Sequence, residues 1–170
     1  SMLKFAFENK DYSFAIELFS EGITLTNIVT LDIKALHLIK ITDDPFLLVS
    51  ALIKMLELYY ESKNSNLPTP DVIWKMSIQT VISRLLEHDQ DGTACREFTA
   101  WFFKSKHFER LSLDTEFVGM LGKCINFDGI TIDLLLSTKV MHIVEKSPAA
   151  LSSFKERILA IIQYLHPNEI

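Results

Sequence analysis

The 170 residues carry 17 basic and 22 acidic side chains, a net charge of −5. Split at residue 85, the halves hold 8 basic against 10 acidic and then 9 against 12. Neither half has the electropositive footprint of a phosphate-tracking protein, so the balance argues against nucleic acid as the main partner.

Apolar residues make up 48% of the chain, twelve of them Phe, and the mean hydropathy is +0.19. A chain this long buries roughly two thirds of its unfolded surface and needs no staples. The apolar lean then has two explanations. Several helices are buried on more than one side, or the chain is cut from a larger protein and exposes a face meant for a partner. The second is favoured here. Ser1-Met2 reads as an expression scar, so the sequence as given is silent on a native targeting signal. Cys95 and Cys124 match no zinc spacing and make no disulfide framework, so they read as reduced thiols of an intracellular protein. No run approaches the ~18 consecutive apolar residues of a membrane span.

In chain order, residues 2–9 read as a short apolar helix, and Asn9-Lys10-Asp11 as a turn. Asp11 or Ser13 caps a second helix through Glu21, with Gly22 as its C′ residue. Residues 23–31 are rich in β-branched types and could form a strand; a helix from about 31 to 41, capped by Thr30 or Asp32, is the competing reading.

Three cap-plus-proline marks follow, at Asp44-Pro45, Thr69-Pro70 and Ser147-Pro148. Each places a capping side chain before a proline at the first helical position. The first opens a helix to about Ser62, with Val49, Leu52, Leu56 and Tyr59 on one face and Phe46, Ile53 and Tyr60 widening it. Residues 63–70 form a polar, Pro-rich loop and the best place for an internal boundary within a single helical domain. The next helix runs from Pro70 to His88, with Trp74, Ile78, Val81, Ile82 and Leu85 on its apolar side. Helices at 93–104, 112–125 and 131–146 come after it. The last begins at Ser147-Pro148, presents Leu151, Phe154, Ile158, Ile161, Ile162 and Leu165 on one face, and stops at His166-Pro167. About nine antiparallel helices result, joined by short links.

Residues 3–19, Leu-Lys-Phe-Ala-Phe-Glu-Asn-Lys-Asp-Tyr-Ser-Phe-Ala-Ile-Glu-Leu-Phe, resemble the centre of a tetratricopeptide (TPR) repeat. The Lys10-Asp11-Tyr12 turn and the small Ala15 sit where that pattern expects them. A fainter echo covers residues 101–110, but the offset from Tyr12 to Phe108 is 96, not a multiple of the 34-residue repeat. The resemblance implies an all-α, irregular α-solenoid or helical array whose function is protein binding.

The candidate chemistry is sparse. Glu87, Asp89, Asp91 and Gly92 occupy places one, three, five and six of a calcium loop, but place twelve is Phe98, where a bidentate carboxylate belongs. His142 and Glu145 lie three apart on a helix, and none of the five histidines has metal-ligand spacing. There is no nucleophile elbow, and five glycines leave no phosphate-cradling loop. No enzyme activity, metal or cofactor is therefore expected.

One cluster stands out: Trp101, Phe102, Phe103, Lys104, Lys106, His107 and Arg110, with Phe108 among them. Aromatics beside cations can seat a partner's acidic motif or stack bases. The plainer reading puts the aromatics in the core and the cations near a helix C-terminus. The expected function is protein–protein interaction or scaffolding within a larger complex. The alternatives are a nucleic-acid-binding helical module built on residues 101–110, and homodimerisation through Tyr59, Tyr60 and Trp74.

Overall fold

A computed structural model describes residues 43–63 and 71–168. The TPR-like segment 3–19, the expected helices at 2–9, 11–21 and 31–41, the ambiguous stretch 23–31 and the Thr69-Pro70 cap lie outside the described residues. Those that are described are mostly helical and contain no strand, so the chain is all-α there. Eight α-helices occur: α1 Pro45–Lys63, α2 Asp71–His88, α3 Thr93–Lys104, α4 Phe108–Leu113, α5 Thr115–Leu121, α6 Ile132–Leu135, α7 Thr138–Lys146 and α8 Pro148–Leu165. A 3₁₀ turn, Gly122–Cys124, follows α5.

Two predicted helices are each broken in two. The segment expected at 112–125 is interrupted at Asp114, whose extended backbone (φ −87°, ψ 103°) ends α4. Its carboxylate accepts from the Glu116 and Phe117 amides, at 3.1 and 3.2 Å, and starts α5. The segment expected at 131–146 breaks at Ser137, which accepts from the Val140 amide and starts α7. In both places a short polar side chain competes with the helical ladder for backbone N–H groups and wins. Two proline marks behave as predicted. Asp44 Oδ1 accepts from the Phe46 amide at 3.0 Å. Ser147 Oγ accepts from the Ala150 amide at 3.2 Å with Pro148 in the first turn.

The chain divides into two compact units, Ser1–Ala94 and Cys95–Ile170. Helices α1 and α2 pack on each other within the first unit, and residues 64–70 between them lie outside the described residues. In that unit the predicted face Val49, Leu52, Leu56, Tyr59 is buried, and so are Leu48, Ala51, Met55 and Tyr60. Helix α1 is thus covered on more than one side. On α2, Ile78, Val81, Ile82 and Leu85 are buried as the spacing requires. The acidic turn after α2 serves as a cap: Asp89 Oδ1 accepts from the Ala94 amide and Asp91 Oδ1 from the Thr93 amide.

The second unit is built around rings. Phe98, Phe102, Phe103, Phe108, Phe117 and Phe127 are all buried. The segment 125–131 between the 3₁₀ turn and α6 is irregular, yet it is pinned at four points. The Asn126 amide donates to Thr99 Oγ1 of α3 (2.8 Å). The Phe127 amide donates to Ser153 Oγ of α8 (3.1 Å). Arg157 of α8 donates to the Ile130 carbonyl (3.3 Å), and Arg96 of α3 lies 3.5 Å from Asp128. Gly129 turns the chain here at φ +78°, a conformation that disfavours any side chain. Both cysteines are buried free thiols.

Two glycines in ordinary helical backbone separate steric from conformational effects. A Cβ on Gly122 would land on the Ser147 hydroxyl, whereas one on Gly119 meets nothing within 4 Å. Gly122→Ala should therefore destabilise the protein by about 2–3 kcal/mol, through overpacking and loss of the α8 cap. Gly119→Ala should stabilise it by roughly 0.5–1 kcal/mol through helix propensity. Urea denaturation midpoints of the two variants check both signs.

Candidate interaction surface

The 101–110 cluster sorts by burial into two populations. Phe102 and Phe103 lie in the core, with ring centroids 5.2 Å apart and Phe108 5.4 and 5.7 Å away. Trp101 is half-buried against Phe98 at 5.8 Å. Lys104, Lys106 and Arg110 are exposed, and His107 is half-buried. The accessible part is thus a set of cations without the aromatic platform that the sequence placed beside them. The cation that serves the helix end comes from elsewhere: Lys139 of α7 donates to the Phe103 carbonyl in the last turn of α3 (3.2 Å) and sits 5.0 Å over the Phe108 ring. One face of α7 does this twice, since Lys146, two turns on, donates to the Ser112 carbonyl at the end of α4 (3.1 Å). Each lysine satisfies a carbonyl that the helix leaves unpaired, and favours the negative end of its dipole.

In the first unit, Tyr59 and Tyr60 are buried and stack edge-on at 5.1 Å. They are core residues, which removes them from the expected dimer face. The side chain of Trp74 lies outside the described residues. A groove of about 480 Å³ runs along α2, lined by Met76, Gln79, Thr80, Ser83, Arg84 and Glu87. Among the described lining residues the cation, Arg84, is engaged by Asp43 at 2.7 Å and Glu87 at 3.5 Å.

Among the described residues, α8 carries more exposed large apolar side chains than any other helix. Its seam Leu151, Phe154, Ile158, Ile161, Leu165 keeps one helix face, and the first four are half-buried. Phe154 meets Phe127 edge-on at 6.0 Å. Beyond Arg157, Ile158 and Ile161 keep partial cover, while Leu159 is 53% exposed, Ile162 41%, Tyr164 85% and Leu165 61%. Seven of the eight residues from Ile158 to Leu165 are apolar, with Gln163 the exception. That is the signal the periodicity missed. A stretch apolar on all sides cannot be covered by a single neighbouring layer. Ile162 and Leu165, expected on the buried face, are exposed because α8 extends past the segment 125–131 that covers its first half.

Among the described residues no three His, Cys, Asp or Glu side chains come together as a metal ion would use them. None of the helices there is long and apolar enough to cross a membrane. No family model matches the chain, and neither do any of the curated proteins or solved structures compared with it.

The burial pattern separates folding from surface roles within the 101–110 cluster. Phe102→Ala and Phe103→Ala should each cost about 3–5 kcal/mol in urea denaturation. Lys104→Glu and Lys106→Glu should stay within roughly 0.5 kcal/mol of the parent.

Proposed function

We propose that this chain is a non-catalytic interaction module: an irregular α-helical array that binds another protein through the last two turns of α8. The observation that carries the reading is the uncovered run Leu159, Ile162, Tyr164, Leu165 on a helix whose first half is firmly anchored. Large apolar side chains scattered singly on a surface need no explanation, but a contiguous group on one rigid helix does. Leu159, Ile162 and Leu165, at successive three-residue spacings, line adjoining parts of one side of the helix, the kind of surface a partner helix buries. The exposed cations Lys104, Lys106 and Arg110 belong to the same unit and suit an acidic rim on the partner.

A photo-crosslinking residue at position 162 tests this in extract of the source cells. The expected outcome is a discrete protein adduct that is lost in Leu159→Asp and Leu165→Asp and absent when the crosslinker stands at exposed Glu116 instead. Identical adduct patterns from positions 162 and 116 would refute a docking site on α8.

A further inference from the structure

Two Asp-Gly pairs lie in turns of the described chain, Asp91-Gly92 and Asp128-Gly129. Both glycines have positive φ, +74° and +78°. In an Asp-Gly pair the glycine nitrogen can reach the preceding side-chain carboxyl carbon, because glycine has no Cβ to obstruct the approach. The two pairs differ in what holds the reacting atoms. In the first, the Gly92 amide donates to the Asp89 carbonyl (3.3 Å), and Asp91 Oδ1 accepts from the Thr93 amide (3.0 Å). Nucleophile and carboxyl are both engaged by backbone, and Gly92 is half-buried. In the second, both residues are exposed. The Gly129 amide has no acceptor among the described residues. The Asp128 carboxylate is tethered there by Arg96, at 3.5 Å.

We propose that Asp128 is a site of spontaneous isomerisation to isoaspartate, and that Asp91 is shielded from the same reaction. The Gly129 nitrogen attacks Asp128 Cγ, and the new N–Cγ bond closes a five-membered succinimide. The carboxyl OH and the amide hydrogen leave as water. Water then adds to the main-chain carbonyl carbon of Asp128 and breaks its bond to the Gly129 nitrogen. The chain now runs through Cβ and Cγ. Nothing is oxidised or reduced, and the water lost is regained. The backbone is longer by one carbon. That carbon falls between the Phe127 amide, held by Ser153 (3.1 Å), and the Ile130 carbonyl, held by Arg157 (3.3 Å). Ser153 and Arg157 stand one turn apart on α8, whose helical ladder fixes their separation. A lengthened chain between the two clamps loses at least one of them, so the reaction unfastens segment 125–131 from α8. The site is independent of docking on α8: either can fail while the other stands.

The test incubates the folded chain beside blocked peptides spanning 87–94 and 125–132, at neutral pH and physiological temperature. Electron-transfer fragmentation of the digested chain reads isoaspartate at each position, and the peptides give the intrinsic rates. In the folded chain, Asp128 should stay within about three-fold of its peptide rate, whereas Asp91 should fall about ten-fold below its own, the cost of breaking a typical hydrogen bond. Asp128→Glu, which keeps the charge but would need a six-membered ring, should abolish modification at 128 and leave the rate at Asp91 unchanged. In the isomerised chain, separated by reversed-phase chromatography and refolded, the Phe127 amide should exchange faster than in the parent. Equal slowing at the two positions, or faster modification at Asp91, would overturn the assignment. Unchanged exchange at Phe127 would overturn the unfastening.

Discussion

The second unit depends on a chain of buried aromatic rings with Phe127 as its keystone. Phe98, Phe102, Phe103, Phe127 and Phe154 succeed one another with centroids 5.2–6.0 Å apart. The chain starts in α3, crosses the irregular segment 125–131 and ends on α8. Such rings bury large areas and hold preferred stacked or edge-on geometries, so they fix orientation as well as contributing to stability. The segment that carries Phe127 has no helical ladder of its own, and its polar groups are satisfied by Thr99, Ser153 and Arg157 instead. Ring packing and backbone satisfaction therefore converge on one stretch of seven residues.

Where that stretch ends, so does the cover over α8. The helix is held through Ser153, Phe154 and Arg157 and then continues for two more turns of apolar side chains. The apolar excess of the composition resolves differently in the two units. In the first, α1 is buried on more than one side. In the second, the surplus sits at the surface of α8. As the proposed docking surface, a helix anchored at one end and open at the other would be preorganised, which lowers the ordering cost of binding.

Much of the helical scaffold was legible from short-range chemistry. Asp44 and Ser147 cap where their prolines say they should, and the apolar periodicity of α1 and α2 marks residues that are buried. The breaks at Asp114 and Ser137 were written in the same alphabet, a polar cap residue inside an apolar run, but no proline flagged them. Within the 101–110 cluster Phe102 and Phe103 follow the plainer reading rather than the partner-site one: they adjoin lysines in sequence, yet the helix turns them inward. Periodicity also placed Ile162 and Leu165 on a buried face. A helical face records which side chains are apolar, not how far its neighbours extend. Arg157 gave no signal, because its partner, the Ile130 carbonyl, lies 27 residues away in the chain.

Amide hydrogen exchange of the isolated chain reads both halves of this account at once. The Asn126 and Phe127 amides, although outside any helix, should be protected as strongly as the core of α3, and the amides of Ile162–Leu165 should exchange orders of magnitude faster than those of Phe154–Ile158. Rapid exchange at Phe127, or core-level protection continuing to Leu165, would contradict a helix anchored at one end and left uncovered at the other.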